Sequence, residues 1–104
     1  MKIIILTVGK IKEKFYTEAV NEYLKRLSRY CKAEVVQVAD EKTVENCSET
    51  EADMVKEKEG NRILAKIPDD AYVITLEING KQLDSLELAD KINRLGINGK
   101  SHIV

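Results

Sequence analysis

The run Ile3-Ile4-Ile5-Leu6-Thr7-Val8 constrains this chain more than any other stretch. It is rich in β-branched residues and shows no alternation of apolar and polar positions. A strand with one wet face alternates, whereas a continuous apolar run predicts a strand covered on both faces, as in a parallel sheet. Parallel strands need crossover connections, usually helices. Gly9-Lys10 ends the run, and the period then changes. Tyr16, Ala19, Val20, Tyr23, Leu24, Leu27 and Tyr30 recur at spacings of three and four, which predicts one face of a helix of about five turns. Glu22 and Arg26, four apart in the favourable order, support its wet face.

The same grammar repeats. Glu34–Val38 reads as a second strand, and Asp40–Cys47 as polar and irregular. Ser48-Glu49-Thr50-Glu51 has the form of a capping box ahead of a second helix over about 52–66. Ala52, Val55, Ile63, Leu64 and Ile67 are its expected buried residues. Gly60 interrupts it at a cost near 1 kcal/mol relative to alanine, through either a close approach of helix to sheet or simple tolerance. Pro68-Asp69-Asp70 is a turn and Tyr72–Ile78 a third strand. Asn79-Gly80 resembles a hairpin turn, but Asp84-Ser85-Leu86-Glu87 offers a helix start, and Leu88, Ala89, Ile92 and Leu95 form a helical stripe. Gly96 and Gly99 end that helix, and Ser101–Val104 begins a fourth strand.

The order β-α-β-α-β-α-β predicts one α/β domain over residues 1–104, a mostly parallel sheet with helices on both faces. Ligands of such folds gather beyond the carboxyl ends of the strands. Here those ends are Gly9-Lys10, Ala39-Asp40 and Leu76–Gly80. The fourth end is expected to be missing, because the sequence stops inside its strand.

Composition narrows the function classes. The 104 residues are 43% hydrophobic and 34% charged, as in a soluble globular protein, and no apolar run approaches the length of a membrane span. The start shows a short apolar stretch without a cleavage pattern, so it reads as a strand rather than a signal peptide. The net charge of −1 hides a gradient: residues 1–38 carry eight basic and four acidic side chains, and residues 39–59 three and eight. The positive first third permits a nucleic-acid partner without requiring one. Cys31 and Cys47 read as two reduced thiols of a cytosolic protein, although a disulfide between them is conceivable. His102 is the only histidine, which removes a two-histidine metal site and disfavours a Ser-His-Asp triad.

No internal motif is a strong catalytic signature. Val8-Gly9-Lys10 lacks the spacing of a phosphate-binding loop and reads as a strand-ending glycine. Lys56-Glu57-Lys58-Glu59 reads as a solvated helical face. The adjacent carboxylates Asp69-Asp70 point apart and read as a turn. From the residues alone, no catalytic or metal-ligating group is assigned.

Several stretches taken together carry a resemblance. They are Ile5-Leu6-Thr7-Val8-Gly9-Lys10, Glu22-Tyr23-Leu24-Lys25-Arg26-Leu27, Val38-Ala39-Asp40-Glu41-Lys42 and Lys58-Glu59-Gly60-Asn61-Arg62-Ile63-Leu64. Val73-Ile74-Thr75-Leu76-Glu77-Ile78-Asn79-Gly80-Lys81 and Leu88-Ala89 complete the set. In one register across essentially the whole chain they resemble the RlmH family. These are ribosomal RNA large-subunit pseudouridine N3-methyltransferases, small members of the trefoil-knotted SPOUT superfamily.

The resemblance implies S-adenosyl-L-methionine as cofactor and large-subunit ribosomal RNA, within the ribosome, as partner. It also implies a homodimer and a cytoplasmic location. It places one cofactor contact at the leucine ending the third strand, which matches Leu76; the alternative is an ordinary core leucine. Gly80 and Lys81 match the family without an assigned role, and no residue is assigned as the catalytic base. Asp84-Ser85-Leu86-Glu87 departs from the two serines and acidic residue common in relatives, yet keeps the helix start. Family members continue past this point into a knotted C-terminal region. That region carries most of the cofactor pocket, the main dimer surface and a basic, aromatic tail. The 104-residue chain is therefore expected to lack activity by itself. The alternative is a non-enzymatic truncated remnant or interaction domain with the same fold.

Overall fold

A computed structural model describes residues 1–43 and 45–104; part of the 40–47 stretch, residue 44, thus lies outside the described residues. The elements run β1 (Lys2–Val8), α1 (Lys14–Leu27), β2 (Lys32–Val38), α2 (Glu49–Leu64), α3 (Ser85–Ile97) and β3 (His102–Ile103). The strands form a parallel sheet in the order β2-β1-β3. β1 and β2 pair along their full length, from Lys2 opposite Lys32 to Val8 opposite Val38. The architecture is the α/β fold read from the sequence.

The third expected strand differs. Tyr72 makes a single parallel bridge to Ile103, on the side of β3 away from β1. The Tyr72 amide donates to the His102 carbonyl at 2.8 Å, and the Ile74 amide to the Val104 carbonyl at 2.8 Å. Beyond Ile74 the segment has no ladder partner among the described residues. A strand is a property of a pair, and apolar composition over 75–78 does not substitute for the neighbour.

Local signals set the helix ends. Ser48 caps α2 by accepting from the Glu51 amide, the half of the expected box that is present. Asp84 caps α3 with both reciprocal bonds, Glu87 amide to Asp84 and Asp84 amide to Glu87. At the other end of α3, the Lys100 amide reaches the Leu95 carbonyl and the Gly99 amide the Gly96 carbonyl. These two bonds are a Schellman motif, and Gly99 supplies its left-handed residue at φ 84°.

α1 lies over the sheet face carrying Ala33, Val35 and Gln37, which with Thr17, Val20 and Leu24 line a groove. α3 returns on that side, where a Cβ on Gly96 would sit 3.1 Å from Met1 Cε. Right-handed crossovers place α2 on the other face, the face of the buried residues Ile4 and Val38. These two and Ile103 make up the buried apolar core among the described residues.

Two packing expectations are corrected. β1 is not covered on both faces, since Ile5 and Val8 remain exposed. Of the α1 stripe, only Val20 and Leu24 pack inward, while Tyr16, Tyr23, Leu27 and Tyr30 face outward; on α2, Leu64 is exposed too. The apolar stripe of α1 is wider than the strip of sheet beneath it. The described chain exposes 8844 Å², against about 5,900 Å² for a folded monomer of its mass. Its radius of gyration is 15.9 Å, against about 13 Å for a compact domain of this length.

Candidate functional site

The carboxyl edge of the parallel sheet is where this topology gathers a site. Three segments reach it: Gly9-Lys10 after β1, Ala39–Lys42 after β2, and 75–80 beyond the Tyr72 bridge. The first two are fastened to each other. The Gly9 amide donates to the Val38 carbonyl at 2.8 Å. Gly9 sits at φ 79°, and a Cβ there would lie 3.9 Å from Asp40.

α2 then fixes the second segment from below. Arg62 Nη1 donates to the Ala39 carbonyl at 2.9 Å, and Arg62 Nη2 is paired with Glu41 Oε1. One turn earlier, Glu59 Oε2 accepts the Glu41 amide at 3.1 Å. The spacing of 59 and 62 puts both side chains on one helix face, so α2 holds the backbone and the side chain of the same short segment. Sequence reading missed this. It treated Lys56–Glu59 as a solvated face, yet Glu59 turns toward the loop and is partly buried. The three-residue spacing was the available signal; the loop partners, 18 to 23 positions away, were not.

The third segment is different in kind. Leu76 and Ile78 are each 99% exposed. That removes the core-leucine reading of Leu76 in this chain. Gly80 closes a turn, its amide donating to the Glu77 carbonyl at 2.9 Å. Around Leu76 the described residues assemble no enclosed space. Two grooves flank α1. One, of about 550 Å³, runs from Met1 past Leu24 to Tyr30 and Ala33; the other, of about 440 Å³, runs along the β2 face.

Other singled-out residues stand away from this edge. His102 pairs in register with Lys2 at the amino end of the sheet, its Nδ1 3.5 Å from Asp70 Oδ1 and its buried Nε2 without a partner. Cys31 and Cys47 are free and half-buried. Among the described residues, no group of three or more His, Cys, Asp or Glu stands in position to hold a metal ion. No helix among them is long and apolar enough to cross a membrane. The positive first third is concentrated on α1 and its flanks, where Arg26 lies over the exposed Tyr23 ring at 5.8 Å.

A small parallel α/β domain with its ordered loops at the carboxyl edge belongs to a class that binds ligands there. The chain belongs to the SPOUT methyltransferase family: the family's sequence model, described as "Predicted SPOUT methyltransferase", matches residues 1–104. It is 57% identical over 103 residues to the ribosomal RNA large subunit methyltransferase H of Bifidobacterium adolescentis and 55% identical to that of Enterococcus faecalis. It is 54% identical to a putative ribosomal RNA large subunit methyltransferase H of Methanococcus maripaludis. Each match covers 99% of this chain and 65% of the relative, so the chain spans about 65% of the length of the curated relatives it matches.

Proposed function

We propose that this chain is part of an S-adenosyl-L-methionine-dependent methyltransferase that modifies N3 of a pseudouridine in large-subunit ribosomal RNA. The reading places it in the cytoplasm, in a homodimeric enzyme and as a single domain over residues 1–104. One observation carries it: a match to the SPOUT methyltransferase family along the whole chain, joined by ribosomal RNA methyltransferase relatives at 52–57% identity. The parallel sheet, with its ordered carboxyl edge, is the architecture such an activity uses.

Leu76 is the proposed cofactor contact. The cofactor, when bound, supplies the methyl group. The residues present do not by themselves fit it: Leu76 offers a single apolar wall, and that wall is 99% exposed. We therefore assign no chemical step to this chain, and infer that it binds the cofactor negligibly and is inactive in isolation. The second reading, a non-enzymatic interaction domain, draws on the same exposure.

The test is methyl transfer to large-subunit RNA from labelled cofactor, with mass spectrometry locating the product. The assay compares the 104-residue chain with the chain joined to the C-terminal segment of a relative. We expect N3-methylpseudouridine only with the joined protein. Transfer by the short chain alone would refute the inactivity, and no transfer by either would refute the enzymatic reading.

A further inference from the structure

Four of the five aromatic side chains of this chain, Phe15, Tyr16, Tyr23 and Tyr30, lie on or just beyond α1, and all four are exposed. Cations are interleaved with them. Residues 10–32 carry seven basic and three acidic side chains, in a chain whose net charge is −1. Two of the three carboxylates, Glu18 and Glu22, are paired within the helix to Lys14 and Arg26.

At the end of α1 this combination lines a groove. Arg29, Tyr30 and Lys32 share the walls of the groove of about 550 Å³ with Met1, Leu24 and Ala33, and no carboxylate lines it. Arg29 and Lys32 are exposed and make no ion pair among the described residues. Glu34, the next carboxylate along β2, is held by Lys2 at 3.2 Å. Tyr30 is 79% exposed, while its amide is fixed to the Leu27 carbonyl at 2.9 Å. Bare carbonyls at a helix C-terminus repel anions. Here those of Leu24, Lys25 and Leu27 are taken up by Ser28, Tyr30 and Cys31.

We propose that this groove takes an unpaired nucleotide of single-stranded RNA, its base stacked on Tyr30 and its phosphates against Arg29 and Lys32. This rests on the reading of the substrate as RNA, and names where the protein grips it. Every base has a π-face and every nucleotide a phosphate, so an exposed ring between two cations suits any single strand. A paired base keeps its face inside its own helix. Earlier on α1 the same pairing recurs, with Arg26 over the exposed Tyr23 ring at 5.8 Å, which extends the track along the helix.

The test is fluorescence anisotropy of the 104-residue chain with a labelled oligouridine across a salt series, beside an RNA duplex of the same length. Wild type should prefer the single strand. Arg29→Ala with Lys32→Ala should flatten the log–log salt slope by about 1.4, two phosphate contacts at roughly 0.7 each. Tyr30→Ala should weaken binding about 5- to 100-fold and leave the slope unchanged, the mark of a lost stacking platform. Tyr30→Phe keeps the ring and should bind as wild type does. Ultraviolet crosslinking of the wild type, which needs no variant to fold, should place the oligouridine on Tyr30.

Equal affinity for duplex and single strand, an unchanged slope in the cation variant, or full binding by Tyr30→Ala would each overturn the proposal. So would a crosslink confined to other segments. Light scattering on the same samples covers the remaining occupant, a second copy of this chain. If wild type binds no RNA and Tyr30→Ala turns an oligomer into a monomer, the face is an interface between copies and the proposal fails. Absence of methyl transfer by the joined protein, with this binding intact, would instead strike the enzymatic reading alone.

Discussion

Gly60→Ala tests how α2 sits in this molecule. Gly60 lies in the interior of a 16-residue helix, and a Cβ built there meets nothing within 4 Å. Its φ is not in the left-handed region. Alanine therefore keeps the backbone and gains the helix propensity that glycine forfeits, about 0.8–1.0 kcal/mol. The packing contribution is small, because the methyl finds open space rather than a gap to fill. For a domain near this size, about 1 kcal/mol raises the melting temperature by roughly 4–8 °C. Calorimetry at several protein concentrations, with urea titration to check that the m-value is unchanged, measures it directly. Of the two readings that the sequence left open, this outcome selects tolerance. A neutral or lowered melting temperature would refute the reasoning, since it would mean that something approaches α2 closely enough to need the missing side chain.

Gly99→Ala should cost about 1–2 kcal/mol, the penalty of a Cβ at φ 84°, seen as an earlier urea midpoint. Leu76→Ala should leave the stability of this chain within about 0.5 kcal/mol, because the side chain touches almost nothing. In a chain joined to a relative's C-terminal segment it should weaken cofactor binding by about 1–3 kcal/mol, and calorimetry showing equal affinity would remove Leu76 from the site. The exposed apolar surface of α1, β1 and the 75–78 segment should drive self-association at micromolar concentration. Light scattering from a clean 11.8 kDa monomer without dye binding would contradict that.

What was legible in the sequence was local. The helix starts at Ser48 and Asp84 follow from side chains three residues from their partners, and Gly99 follows from a conformation that only a residue without Cβ adopts easily. The switch from continuous apolar run to helical period at Gly9 gave the alternation of strand and helix, and with it the parallel sheet. What was not legible was tertiary. Leu64 and the α1 tyrosines have the right spacing for a buried face, but spacing says which side of a helix is apolar and not what lies against it. Thr75–Ile78 has strand composition, yet its hydrogen bonds depend on a neighbour that composition cannot supply.

The candidate site divides along the same line. Leu76 is proposed through resemblance alone, and stands at the edge that the topology singles out. Glu59 and Arg62 escaped because their partners lie across the fold, and charged residues on a helix ordinarily face water. Their bonds have a consequence for how such a site is completed. The loop after β2 is ordered by polar bonds contained within these residues, whereas the apolar surfaces beside it are open. Burial of those surfaces by a partner, a second copy or further chain need not disturb the clamp. The polar half of the edge is thus held by bonds within these residues, while the apolar half stays open.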